Sequence, residues 1–320
     1  AKRIAVLLDK CESGNSAAWW HLTILMTLEP NSTHYDDELG SDLIVLPGWK
    51  EADLITRERI VEAAKRYVLE QDPETDEWLG TNIVYRPAFA DYKALRLLLQ
   101  EASDFVFSIS AEVWKKWTPI ILGYRYFTPD TEGKEHYQKL IKMAYDHAPN
   151  ESIQTLMLLI DKENMEGEHI SIIDKVAPCW DDRLANALLV KVKGKKLKPN
   201  CMGYLLRELL KHKVVEAKLF AESLIPLPSP SGEKERLEAI VAAHMLMAHT
   251  EDAGWSVVWP AIQQDARFGQ DVISRVSYEF ARHADSIGQK LTEEQVGNLY
   301  LWIVHQYPYA EDPKYEGFHS

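Results

Sequence analysis

The sequence is poor in cysteine. Its 320 residues include three, Cys11, Cys179 and Cys201. The odd count and the lack of any metal-type spacing exclude a cysteine-based metal site and fit a reducing, cytoplasmic setting. Long apolar runs are also missing. None approaches the roughly 20 residues needed to span a bilayer, so no membrane partner is expected. The stretch "IAVLL" near the start is too short for the apolar region of a signal peptide. Positive charge is outweighed, with 36 Lys and Arg against 49 Asp and Glu and a net charge of −13. That balance argues against nucleic-acid or anionic-membrane binding by the surface as a whole.

Chemistry-bearing motifs are missing as well. There is no G-x-x-x-x-G-K-[ST] loop to cradle phosphates and no G-x-G-x-x-G turn. There is no G-x-S-x-G elbow, no H-E-x-x-H pair and no C-x-x-C. His244 and His249 share a helix five residues apart, about 140° around its axis, so they cannot chelate one ion from one face. No catalytic residue, cofactor ligand or metal ligand is assigned, and the chain is expected not to be an enzyme. Strand signals are scarce. "SDLIVLP" (Ser41–Pro47) and "TNIVYRP" (Thr81–Pro87) read as short extended pieces, each stopped by a proline. With no βαβ alternation and no regular hairpin spacing, the fold class is all-α.

Helical signal, by contrast, runs almost throughout. The hydrophobic content of 46% allows a sizeable core. Helical periodicity and end signals place about 13 helices, at residues 15–29, 52–71, 87–101, 111–123, 131–147, 151–163, 181–191, 201–210, 214–225, 232–249, 253–264, 270–284 and 293–306. Asn15, Ser110, Asn150, Asn200 and Thr292 read as N-caps, and "TEEQ" from Thr292 is a capping box. The chain opens as if in the middle or end of a helix, so a fragment of a longer protein is expected. Residues 1–320 read as one helical region with a weak subdivision near 165–180.

"CMGYLLRELLKHKVVEAKLFAESLIP" (Cys201–Pro226) shows the building block. Leu205, Leu206, Leu209 and Leu210 form one helical face. After the turn Lys211-His212-Lys213, a second run follows with Val215, Ala217, Leu219, Phe220 and Leu224. A hairpin this short cannot bury both apolar faces alone, so it needs neighbours, as in an α-solenoid of irregular antiparallel helix pairs. "EVWKKWTPIIL" and "GWSVVWPAIQQ" echo one another, each with Trp five residues before Pro (Trp114/Pro119 and Trp255/Pro260). The tryptophans Trp19, Trp20, Trp114 and Trp117 read as core or hairpin-interface anchors. In the final helix Val296, Leu299, Tyr300 and Ile303 form a stripe, and Leu301, Trp302 and Val304 extend it. That helix is expected to be covered on more than one side.

Two charge clusters stand out. "HYDDE" holds Asp36, Asp37 and Glu38 beside His34, within the long non-helical stretch Pro30–Gly48. Oxygen ligands of this kind can hold a divalent cation, which makes a stand-alone metal-dependent enzyme one alternative. It needs a second acidic motif, and the double aspartate of "CWDDR" (Asp181, Asp182) reads more simply as a helix N-terminal cap. "LVKVKGKKLKP" carries Lys191, Lys193, Lys195, Lys196 and Lys198 with no acid among them. These five are candidate contacts for an anion or partner, or for nucleic acid in a second alternative, although the run has no arginine and no interleaved aromatic.

The segments "ADYKALRLLLQEASDFV", "EVWKKWTPIIL", "LLRELLKHKVVEAKLFAESLI", "AAHMLMAHTEDAGWSVVWPAIQQDARFGQDVI" and "LYLWIVHQYPYAEDP", spread over Asp91 to Pro313, together resemble the C-terminal helical-repeat region of bacterial NACHT-type STAND NTPases. The resemblance lies in packing patterns. It implies a solenoid of HEAT- or tetratricopeptide-like repeats that follows an NTP-binding module in the same parent chain. Such a solenoid senses a protein or other macromolecular ligand and restrains the NTPase, often in antiviral or stress signalling. No Walker lysine or magnesium-binding acid carries over to any residue of this sequence. The resemblance implies a non-catalytic scaffold and sensor.

Overall fold

The computed structural model describes residues 2–29, 42–81, 83, 85, 87–123, 131–282 and 291–307. Among the described residues the chain forms eighteen α-helices, two short 3-10 turns and no strand. Contacts divide it into two compact units, Ala1–Met165 with Ser171–Leu184, and Glu166–Ile170 with Ala185–Ser320. The first holds α1 (Lys2–Glu12), α2 (Ala17–Leu25), α3 (Pro47–Lys50), α4 (Leu54–Glu70), α5 (Thr75–Trp78), α6 (Pro87–Glu101), α7 (Ser103–Ser108), α8 (Ala111–Gly123), α9 (Thr131–His147), most of α10 (Pro149–Glu166) and α11 (Ile172–Lys175). α12 (Asp182–Lys193) leads into the second, which holds α13 (Pro199–Lys211), α14 (Val215–Ser223), α15 (Glu233–His249), α16 (Trp255–Gln264), α17 (Ala266–Arg282) and α18 (Glu293–Gln306).

The first unit is built around α6, which packs against α2, α4, α7, α8 and α9. Such a position tolerates no solvent-facing stripe, and every residue from Ala90 to Leu99 is buried. The apolar share of that run is Ala90, Tyr92, Ala94, Leu95 and Leu97–Leu99. The rest is ionic: Asp91, Lys93 and Arg96. Buried charges need partners. Arg96 pairs with Asp42, which also accepts from Gln100, and the Tyr67 hydroxyl donates to Asp91. A row of aromatic rings, Trp19, Tyr67 and Trp117, fills the space beside α6 with centroids 5.7 and 6.0 Å apart. Both indole N–H groups find carbonyls, Trp19 on Ala90 at 2.9 Å and Trp117 on Val68 at 2.8 Å. Trp19, Trp114 and Trp117 are thus core anchors, while Trp20 is half-buried.

The second unit repeats the scheme with α15 at its centre. α13, α14, α16 and α17 all pack against it. α15 is enclosed because its middle is apolar on all sides, with Ala239–Ala243 and Met245–Ala248 buried. Small residues set the approach of α13: a Cβ added at Gly203 would stand 2.8 Å from Val241 Cγ1. The α13–α14 turn closes by a doubled backbone pattern. Val214 N–H reaches Leu209 O and Lys213 N–H reaches Leu210 O, both at 3.0 Å. This pattern needs a left-handed residue after the C-cap, and Lys213 supplies it with φ 58°.

The thirteen segments expected from periodicity each overlap one helix. Five more helices are present: α1, and the short α3, α5, α7 and α11. Leu43–Val45 of "SDLIVLP" is a 3-10 turn rather than a strand. In α14 the buried face is Ala217 and Ala221, whereas Val215 and Leu219 are exposed. α18 differs most from expectation. Trp302 is its buried residue, resting on the flat spot at Gly269, where a Cβ would come within 2.7 Å of the indole. Val296, Tyr300, Leu301 and Val304 are exposed, so among the described residues Trp302 is the one side chain of α18 that is buried. The sequence echo does not give equal environments either: Trp114 is fully buried in α8, and Trp255 is half-buried and stacked on Trp259 at 4.7 Å in α16.

Two predictions follow from this packing. Burial pushes the Asp91 carboxyl up to about 7, and its Oδ2 has no hydrogen-bond partner. The folded state therefore holds a proton there that the unfolded chain releases near the usual aspartate value of about 3.9. Stability from this group is complete at low pH and is lost as pH rises through about 7. Asp91→Asn keeps an acceptor for Tyr67, so its advantage in melting temperature over wild type should be small near pH 4 and grow steadily up to pH 8. Parallel curves would refute the assignment. Ala217 is fully buried between α14 and its neighbours, so Ala217→Asp should cost at least about 3 kcal/mol in urea melts. Lys213→Asp, which loses only the exposed Glu251 pair, should be nearly silent; equal losses from the two would contradict this packing.

Candidate functional site

The candidate site lies wholly within the second unit, where its enclosed helices reach solvent. Between Cys201 and Leu210 only Tyr204 and Arg207 are not buried, and between Ala239 and Ala248 only His244 is not. These windows coincide in one cleft of about 520 Å³ across α13, α15 and α17. Helix periodicity explains the convergence. Asn200, Gly203, Tyr204 and Arg207 follow i, i+3, i+4, i+7 on one face of α13. Val241, His244 and Met245 follow i, i+3, i+4 on α15, and Ser274, Arg275 and Tyr278 line the α17 side. The floor is Gly203, Val241 and Met245, all buried.

The walls are polar and ordered. Arg207 lies 5.3 Å over the Tyr204 ring, and His169 meets the same ring edge-on at 4.5 Å. Arg207 Nε donates to Glu208 at 2.8 Å, and Lys211 Nζ donates to the same oxygen at 3.1 Å. Burial alone would push the Glu208 carboxyl up, yet these hydrogen bonds hold it below the usual carboxylate range. Asn200 bridges the cleft: its amide nitrogen donates to Glu168 Oε2 at 2.7 Å, and its oxygen accepts from Arg275 Nη1 at 3.1 Å. Asn200 was expected to cap α13. Instead the helix begins at Pro199, Lys198 is the N-cap residue, and no side chain caps that end. The asparagine side chain is used in the cleft.

The lysine run lies at the end of α12 and in the turn beyond it. Lys191 and Lys193 are two residues apart on a helix, about 200° around its axis, so they do not share a face. Lys193, Lys195 and Lys196 are exposed, and Lys191 and Lys198 are half-buried. Lys198 Nζ donates to the Gly167 carbonyl at 2.8 Å, which turns it inward. Asp36, Asp37 and Glu38 lie outside the described residues, as does His34. Asp181 caps α12, accepting from Leu184 N–H at 2.9 Å and from the Tyr145 hydroxyl at 2.6 Å. Among the described residues no group of three metal-ligating side chains converges, and no helix is long and apolar enough to cross a membrane. Cys11 and Cys179 are buried, and burial pushes their thiols up to about 11 and about 12.

Sequence reasoning missed Tyr204, Arg207, Arg275 and Tyr278 and took His244 for an ordinary helix histidine. A signal was present. α13 carries Tyr-x-x-Arg (Tyr204, Arg207) and α17 carries Arg-x-x-Tyr (Arg275, Tyr278), each a same-face pair of a ring and a guanidinium. As to relatives, no protein-family model, no curated protein and no solved structure matches this chain.

Proposed function

We propose that this chain is the non-catalytic recognition region of a signalling NTPase, a HEAT-like α-solenoid that binds a protein ligand and restrains an NTP-binding module of the same parent chain. The observation that carries this reading is the order of packing in the second unit. α13, α15 and α17 neighbour one another in turn while α14 and α16 connect them, which is the arrangement stacked helix pairs adopt. The row leaves its cleft open across three helices. The cleft brings together rings, guanidiniums and an amide, a set suited to binding. A role in defence signalling belongs to the same proposal and rests on the resemblance alone, and cytoplasmic location belongs to it on the strength of the three free cysteines.

Two measurements test it together. By calorimetry the isolated chain should show no saturable binding of magnesium ATP, because no glycine loop cradles phosphates. Micromolar binding would overturn the scaffold reading. In the full gene product, deletion of residues 1–320 should raise basal NTP hydrolysis if the region is a restraint. A full product that never hydrolyses NTP, with or without these residues, would overturn the link to an NTPase.

A further inference from the structure

We infer that the cleft between α13, α15 and α17 is a carboxylate-recognition site for an extended segment of a protein partner that carries one acidic side chain; the inference rests on the recognition role proposed above. Three observations carry it. The first is charge. Arg207 is answered by Glu208, but Arg275 is half-buried, and among the described residues its one polar partner is the uncharged Asn200. Asn200 holds one nitrogen of the guanidinium and leaves the remaining N–H groups available. A guanidinium presents a planar fork that matches a carboxylate in two parallel hydrogen bonds.

The second is the balance of charge around it. Glu168 stands at the cleft on the other side of Asn200, and Glu208 lies behind Arg207. One unanswered cation is compensated by one carboxylate. A phosphate dianion would bring an excess negative charge beside Glu168, in a chain whose net charge is already −13. A segment with a single well-placed acid fits this field better than a polyanion, which the remainder of the surface repels.

The third is shape. The cleft crosses three helices, two interaxial spacings or roughly 16–20 Å. That length suits about five or six residues of extended chain. Its floor is apolar at Gly203, Val241 and Met245, with the Tyr204 and Tyr278 rings on either side. An aliphatic or aromatic side chain next to the acid would lie on that floor while the carboxylate reaches Arg275. Gly203 lets α13 close onto α15 beneath this floor, because a side chain there would meet Val241.

The test uses a random peptide library displayed on phage, selected against the whole chain. Enriched peptides should share one Asp or Glu beside an aliphatic or aromatic residue. A synthetic copy of one of them should bind at least about tenfold more weakly to Arg275→Gln, the scale of a lost charged hydrogen bond. Replacing its acid by the amide should cost the same on wild type and little on the variant. Arg275→Lys should recover part of the loss, since charge returns without the fork. Tyr278→Ala, a change at an exposed ring, should also weaken binding. Enriched peptides without an acid, or peptides bound equally by Arg275→Gln, would overturn the proposal. So would competition by inorganic phosphate stronger than that by acetate, which would make the cleft a phosphate site. Failure to enrich any peptide overturns it too, and leaves the NTP-hydrolysis readout of the recognition role unaffected.

Discussion

Two helices in this protein have almost no surface, and the rest of the structure is arranged around that constraint. α6 and α15 are each enclosed by neighbours over most of their length. A helix satisfies its own backbone internally, so enclosure costs nothing there; the cost falls on side chains. The two helices meet it differently. α15 is nearly pure Ala, Met, Leu, Ile and Val through its middle and achieves close packing with small side chains. α6 carries Asp91, Lys93 and Arg96 into the core, so its surroundings must supply Tyr67, Asp42 and Gln100 in fixed positions. Buried ionic groups of this kind add little net stability over well-packed apolar ones. They do restrict which neighbours fit.

Most of the helical framework could be read from the chain because its signals are local. Apolar residues at helical spacing, prolines, and the Thr292–Gln295 capping box, which the structure contains in full, depend only on nearby residues. What could not be read is what depends on distant ones. α3, α5, α7 and α11 are four to six residues long, too short to show a period. Ala217 reads as a close-approach residue in sequence and is buried, but Val215 and Leu219 look like core residues beside it, and only the placement of α13 and α15 decides that Ala221 faces inward in their place. α18 reads as enclosed because its composition is apolar, yet composition does not say how many neighbours arrive.

The cleft escaped the sequence reading for a related reason. Its residues are ordinary taken singly, and attention fell on runs of like charge. The lysine run is dense in sequence but spread in space, with Lys198 turned onto Gly167. The cleft is sparse in sequence, drawing on positions from Glu168 to Tyr278, and dense in space. Asn200 was misplaced by a sound rule: asparagine before a leucine-rich helix is a good cap. Here the side chain has better partners in Glu168 and Arg275, and the helix start moves to Pro199.

That exchange has a consequence for motion. The first turn of α13 has backbone N–H groups that no side chain caps, and an uncapped turn frays at lower free energy than the helix interior. Pro199 at the first position limits this only in part, by removing one orphan donor. The residue that anchors Arg275 therefore sits on a turn of α13 that no side chain caps. Any occupant that fixes Asn200 in place also stiffens the backbone beneath it, and ordering at the cleft is coupled to ordering at the start of the helix that forms one of its walls.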